Sequence, residues 1–478
     1  MVLRFFFAGF VLALTLASAA SGRSDDAASL LAKNKAFAGW VFGDPSMAGL
    51  LLTGNVGERQ IVDLRRGALW RRTIVDLKTG VSSDVGYTGR RFWYADFNGF
   101  TVPLRGDAVK YEVAYQVVMN QGLPALTGEL RGSTSLSGTP AEIVRVQPPE
   151  SYPIDAYVEP SSGRLLRAVI DPNGLPTTID ILNYADLDGK KIISSWHIGS
   201  EITTTDVEHT AIVNADFHPP AQRASWSFGP LQPIPIAFSG GRMWIRAAVN
   251  GVAGDFMLDT AAISIFLNPS FAKRARVKDI GGIANVDALE VGGNVLHNVR
   301  VRTKLDARGP LQDFDGLLGF DFLAGAIVDV DTAKAELTIY DPAHYAVTAS
   351  GPPVVLDLRS GQARVPVTLN GRVKGHFLFD TGETTAVVAT EKLYGPPRGV
   401  EMRTESTAQF NSAPVNCGRL QRIEIGGALR YDNVPACFGD YTELFGSDGG
   451  VIGLDFLKRF DLTFDYPEAV VYLTPLKQ

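Results

Sequence analysis

The sequence predicts a mostly β protein: a β-rich domain containing two helices, followed by two similar β-rich units in tandem. Three observations carry that prediction. Runs of alternating apolar and polar residues bounded by Gly, Asp and Ser recur along the 478 residues, as antiparallel strands and their turns do. In the N-terminal half, helical periodicity is confined to two stretches. In the C-terminal half, three blocks of sequence occur twice in the same order, which marks an internal repeat.

Taken in order, the first segment, "MVLRFFFAGFVLALTLASAASG", places Arg4 before an apolar run from Phe5 to Leu16 and a small-residue stretch, Ala17 to Ala20. That is the layout of a secretory signal peptide over residues 1–20, and the apolar run is short for a bilayer span. The expectation is an exported protein, periplasmic or secreted, with no integral membrane span after cleavage. With 45% hydrophobic and 20% charged residues, the chain fits a soluble globular protein with more than one core. Its formal charge of −6 is spread among interspersed acidic and basic residues, so no basic face points to nucleic acid.

Residues 25–218 read as a β-rich accessory domain of α+β type. "DDAASLLAKNKAFAGW" and "RGDAVKYEVAYQVVMNQ" carry apolar residues at helical spacing. "LWRRTIVDLKTG", "RRFWYADFNGFTVPL", "PIDAYVEPSSGRLLRAVID" and "TTIDILNYADLDGKKI" read as strands and hairpins. "HPPAQRASWSFGPLQPIP" is rich in proline, so residues 219–234 read as a linker. A second break, "AVTASGPP", divides the remainder into units of residues 235–345 and 353–475.

The two units repeat one another. "IRAAVNGVAGDFMLDTAA" aligns with "VPVTLNGRVKGHFLFDTGE", "ALEVGGNVLHNVRV" with "RIEIGGALRYDNVPA", and "DGLLGFDFLAGAIVDVDTAKAELTIYDP" with "GGVIGLDFLKRFDLTFDYPEAVVYLTP". The repeat sets Asp259 and Asp380 at the same point, each at the end of an apolar strand. A carboxylate there is costly unless it has a partner or a task, and each aspartate is the other's predicted partner.

Both units resemble the subunit of retropepsin-like aspartic proteases, part of the pepsin superfamily. The residues carrying the resemblance are Asp259-Thr260-Ala261 and Asp380-Thr381-Gly382, with the later Leu317-Leu318-Gly319 and Val451-Ile452-Gly453. It implies two β-barrel lobes paired about a pseudo-twofold axis, and an aspartic endopeptidase in which Asp259 and Asp380 activate water. Thr260, Ala261, Thr381 and Gly382 would support the dyad; the two apolar-apolar-Gly segments would lie beside and support its loops. It implies a peptide or protein substrate, no cofactor, no metal, and a monomer whose two lobes pair within one chain. A hairpin over each lobe is expected within residues 277–292 and 401–418. The N-terminal domain loosely resembles the half-barrel of periplasmic lipoprotein carriers, chiefly in "AYVEPSSGRLLRAVI" and "YADLDGKKI".

Two departures stand out. Ala261 replaces the usual Gly, where its methyl could crowd the loop contact, and Glu383 stands where Ala or Ser usually follows, where a further carboxylate would raise the dyad's pKa values. They keep open an alternative from another class: a catalytically weak or inactive cell-envelope protein that binds peptides or apolar ligands. Cys417 and Cys437 lie at mirrored positions about Gly427 in "CGRLQRIEIGGALRYDNVPAC", so a cross-strand disulfide and two separate buried thiols are both possible. The six histidines show no HExxH spacing, two cysteines cannot complete a structural zinc site, and no GxSxG or GxxxxGK motif occurs.

Overall fold

The computed structural model describes residues 26–170, 176–304, 314–349, 351–390, 403–406, 414–439 and 449–476. The expected signal peptide, residues 1–20, and parts of the second covering segment, residues 401–402 and 407–413, lie outside the described residues.

The N-terminal unit is one antiparallel sheet of thirteen strands, from Leu50–Val56 to Glu201–His209. Those two strands pair with each other, Leu50 opposite His209, so the start and end of the unit meet. Alternation dictates the burial: in Ile154–Val158 every second residue is buried. Helix Ala27–Ala38 begins where the Asp26 carboxylate accepts the Ser29 N–H at 2.7 Å and ends at Gly39, whose φ of 75° stops it. Its Leu30 and Leu31 join Ala114 and Val118 of helix Asp107–Met119 in packing on Val144, Ile154, Ile179 and Trp196 of the sheet.

Each repeat closes a six-stranded barrel. In the first, the barrel runs through Arg242–Val249, Val252–Leu258, Gly316–Leu318, Phe266–Leu267, Asn294–Arg302 and Ile283–Val291, the last pairing back onto the first. In the second, the order is Arg364–Leu369, Val373–Asp380, Gly450–Gly453, Val387–Thr390, Leu429–Gly439 and Pro414–Ile425, closed in the same way. A further sheet joins the repeats: Ile327–Asp331 pairs antiparallel with Phe460–Asp465, Val328 opposite Phe464 and Val330 opposite Leu462. Because Val328 and Leu462 are equivalent in the repeat, as are Val330 and Phe464, these two pairings are related by a pseudo-twofold axis. Cys417 faces Cys437 across the second barrel's long hairpin, and the two form a disulfide.

The proline-rich segment is less a tether than its composition suggests. Ser225–Ser227 adds a strand beside Asn294–Arg302, and Trp226 packs edge-on against Phe322 with ring centroids 5.4 Å apart. The N-terminal unit likewise shares one apolar core with the repeats: Trp70, Tyr94, Phe100 and Val102 are continuous with Phe256, Phe320 and Phe464. Asn98, fully buried, fastens this junction. Its amide donates to Arg300 O and to Asp321 Oδ2, both at 3.0 Å, while Arg300 N–H donates to Asn98 Oδ1 at 2.8 Å. At the equivalent point of the second repeat, Asp455 is only half-buried and pairs with Lys458 at 2.6 Å.

Burial, opposed by N–H donors from Phe100 and Asn98, pushes the Asp96 carboxyl up to about 7. Asp321 is held well above the usual range by burial and then by Asp96. Both therefore keep a proton in the fold at pH values where an unfolded carboxyl, of pKa about 3.9, has lost it. That contribution is complete below about pH 4 and is lost as the pH rises toward the raised values. Asp96→Asn, neutral throughout, should accordingly flatten the decline in Tm between about pH 4 and pH 7 by several degrees. Calorimetry across that range checks it, and a slope equal to the parent's would contradict it.

Candidate functional site

Strand Val252–Leu258 runs into Asp259 and strand Val373–Asp380 ends on Asp380. Each lies beside a short parallel strand carrying the apolar-apolar-Gly segment. Met257 and Leu258 pair with Leu317 and Leu318, and the Asp259 N–H donates to Leu318 O at 3.0 Å. Leu378, Phe379 and Asp380 pair with Val451, Ile452 and Gly453. Leu317, Leu318, Val451 and Ile452 are all buried. The glycines that follow are required by close approach. A β-carbon at Gly319 would come within 2.6 Å of Ala262 O, and one at Gly453 within 2.8 Å of Glu383 O. These are the carbonyls that accept the N–H of Phe320 at 3.0 Å and of Leu454 at 2.7 Å.

The two loops are locked together by their threonines. Thr260 N–H donates to Thr381 Oγ1 at 3.2 Å, and Thr381 N–H donates to Thr260 Oγ1 at 3.1 Å. The Thr381 hydroxyl donates to Leu258 O at 2.7 Å, and the Thr260 hydroxyl donates to Phe379 O. Both threonines are fully buried, so these four bonds form where water cannot replace them.

Each carboxylate is held in the same way by its own loop. Asp259 Oδ1 accepts the N–H of Ala261 at 2.9 Å and of Ala262 at 3.0 Å; Asp380 Oδ1 accepts Gly382 at 2.7 Å and Glu383 at 3.2 Å. The two carboxylates approach one point: Asp259 Oδ2 and Asp380 Oδ1 lie 3.0 and 3.1 Å from where a β-carbon at Gly382 would stand. A β-carbon at Gly382 would lie 2.9 Å from Asp259 Cγ, so glycine is what lets the opposing carboxylate come so near. The Ala261 methyl does not break this arrangement: the threonine bonds and both sets of loop amides form with it in place.

Burial raises Asp259 above the ordinary carboxylate range, against the N–H groups of Ala261 and Ala262 and the charge of Arg242. Asp380 is raised well above that range by burial first, then by Asp259, then by Glu383. Glu383 is itself raised by burial and accepts the Thr385 N–H at 2.8 Å. Two like carboxyls so close cannot both ionise readily, so the geometry favours one shared proton.

Three neighbours have no local sequence signal. Arg242 and Gln362 are equivalent in the repeat, Arg242 opening the first barrel strand of its unit and Gln362 standing two residues before that of the other. Arg242 acts on Asp259 and Glu383 through its charge, and the Gln362 amide donates to Ala261 O at 2.9 Å. Tyr466, fully buried, is raised by burial and by the nearby charge of both aspartates. The repeat alignment could have identified the first two; Tyr466 needed the fold. Of the covering hairpins, the first is the pair Asp279–Ile280 and Ile283–Val291. In the second, Arg403–Ser406 pairs with Pro414–Ile425.

The fold and site together define a β-barrel repeat presenting paired aspartates, an aspartyl-protease-like arrangement. Residues 365–456 match the aspartyl protease family. The chain is similar to the crystal structure of an aspartic proteinase from Irpex lacteus, at 12% identity and a TM-score of 0.34, covering 51% of this chain and 97% of that one. It is also similar to a DUF1329 family protein from Desulfovibrio piger, at 13% identity and a TM-score of 0.29, covering 40% of this chain and 95% of that one. No curated protein matches the chain significantly.

Thr381→Val removes the donor to Leu258 O and the acceptor for Thr260 N–H, leaving two buried groups unpaired. It should cost roughly 2 to 4 kcal/mol in urea unfolding. Gly382→Ala should displace Asp259, whereas Ala261→Gly should leave the fold's stability nearly unchanged; equal effects of these two glycine–alanine exchanges would contradict the loop geometry.

Proposed function

We propose that the protein is an aspartic endopeptidase that hydrolyses peptide bonds with a water activated by Asp259 and Asp380. The observation that carries this reading is the approach of two half-buried aspartates to one point, Asp259 Oδ2 and Asp380 Oδ1 lying 3.0 and 3.1 Å from where a β-carbon at Gly382 would stand, on loops that bond to each other through Thr260 and Thr381. With one proton on the pair, the ionised member takes a proton from water as it attacks the scissile carbonyl. The protonated member donates to the carbonyl oxygen, so charge does not build up there. The resulting tetrahedral species collapses with proton transfer to the leaving amine, and the pair returns to its single-proton state. Only the two carboxyls and water enter these steps.

Because both aspartates come from one chain, a single chain completes the dyad, and the functional unit is proposed to be a monomer. Export to the periplasm or beyond, directed by residues 1–20, is proposed with it; formation of the Cys417–Cys437 disulfide suits an oxidising compartment. The substrate is a peptide or protein chain.

Asp259→Asn and Asp380→Asn should each abolish turnover of a mixed peptide library. The double variant should be little worse than either, because the pair acts as a unit. Near-normal turnover in either single variant would overturn the reading in favour of a binding protein. The pH profile carries a further expectation. Activity ends on the alkaline side when the pair loses its last proton, and Glu383 is among the groups that raise Asp380. Glu383→Ala removes a like charge, so the alkaline limb should move to lower pH; no movement, or movement upward, would contradict the assignment.

A further inference from the structure

The turn at residues 357–364 touches both the N-terminal unit and the dyad. On its outer side the Arg359 guanidinium lies 4.2 Å from the centre of the Tyr111 ring, which belongs to helix Asp107–Met119. Buried Asp357 holds that guanidinium with bonds of 2.7 to 3.0 Å. Glu112, buried on the same helix, also feels the Arg359 charge. At the tip of the turn, Gly361 sits so close to Tyr94 that a β-carbon there would come within 2.9 Å of the tyrosine hydroxyl.

On its inner side the same turn holds the Asp259 loop. The Gln362 amide donates to Ala261 O at 2.9 Å, and its oxygen accepts from Arg364 Nη2 at 2.9 Å. Ala363 N–H donates to Thr260 O at 3.2 Å, and Ala363 O accepts the Phe379 N–H at 2.9 Å, one residue before Asp380. Two residues therefore connect the turn to the Asp259 loop and to the strand that carries Asp380. The equivalent turn of the first repeat is built differently. It holds Gly240 and Gly241, and a β-carbon at Gly241 would meet the Thr384 side chain at 3.0 Å.

We propose that the N-terminal unit acts as a brace for catalysis: Tyr111 and Arg359 fix the turn at residues 357–364, and Gln362 is the positioning residue through which that turn holds the Asp259 loop. The idea rests on the peptidase reading for its catalytic consequence, but its structural part can be measured without turnover. A displacement of a catalytic group by about an ångström can cost a hundredfold in rate, so the brace affects kcat rather than substrate binding. It also gives the N-terminal unit a role in the active enzyme, in contrast to a segment the two repeats could do without.

The test uses the full chain with Tyr111→Leu, Gln362→Leu and, as the conservative control, Tyr111→Phe, which keeps the ring under Arg359. Hydrogen exchange read by mass spectrometry on the peptide spanning residues 258–265 should speed up about tenfold in both leucine variants. Tyr111→Phe should exchange like the parent. In the same variants kcat should fall about tenfold with KM within about twofold, the pattern of a contact that matters only in the transition state. Parent-like exchange over residues 258–265, or a parent-like kcat beside a lowered Tm, overturns the brace. A parent protein with no more turnover than Asp380→Asn would instead sink the peptidase reading, and the exchange comparison alone would then decide whether Tyr111 and Gln362 hold the loop.

Discussion

Everything at the centre of this protein is arranged around the repulsion between two carboxylates. Placed apart, Asp259 and Asp380 would be ordinary ionised side chains. Brought close together and partly removed from water, they resist losing their second proton. That approach would not survive on flexible loops. Each aspartate is therefore held three times: by the strand that delivers it, by two amides of its own loop, and by a threonine lattice that ties its loop to the other. The fully buried threonines make the last tie costly to break, since no solvent can satisfy the freed groups.

The lattice in turn depends on closing each barrel. A short parallel strand lies beside each aspartate's strand, and it can turn away only because Gly319 and Gly453 leave room for the returning loop. The sheet shared by Ile327–Asp331 and Phe460–Asp465 then fixes one barrel against the other. The pseudo-twofold symmetry holds in the strand order of the two barrels but not in chemistry. Ala262 and Ile263 of one repeat correspond to Glu383 and Thr384 of the other, and Arg242 to Gln362. The dyad thus sits in an uneven field: both carboxyls are raised, and Glu383 is among the groups that raise Asp380.

Much of this was legible in the sequence because repetition converts weak signals into strong ones. A single Asp-Thr-Gly is a common turn, but its recurrence at the end of matching strands, with matching apolar-apolar-Gly segments, fixed which residues face each other. The hairpin about Gly427 worked likewise: positions mirrored in sequence are opposed in space, and the two cysteines bond. Contacts between distant segments left no such trace. Asn98 reaches Asp321 across more than two hundred residues, and Gln362 reaches Ala261 across about a hundred. Neither follows from periodicity, because each depends on how completed units dock. Trp226 was hidden for a related reason: proline content announces a connector but says nothing of the surface it lies on. The same holds for the N-terminal unit, whose shared core with the repeats leaves no mark in its own periodicity.

The shared proton itself is the claim most open to direct measurement. With aspartate labelled at its carboxyl carbon, NMR titration can follow Asp380 in the parent and in Asp259→Asn. If the two carboxyls form one coupled unit, the Asp380 resonance stays protonated above the ordinary carboxylate range in the parent. Replacing Asp259 with a neutral side chain should then move its midpoint to lower pH, since Asp259 is among the groups that raise it. An Asp380 midpoint in the ordinary range, about 3.9, and unmoved by Asp259→Asn, would contradict the account.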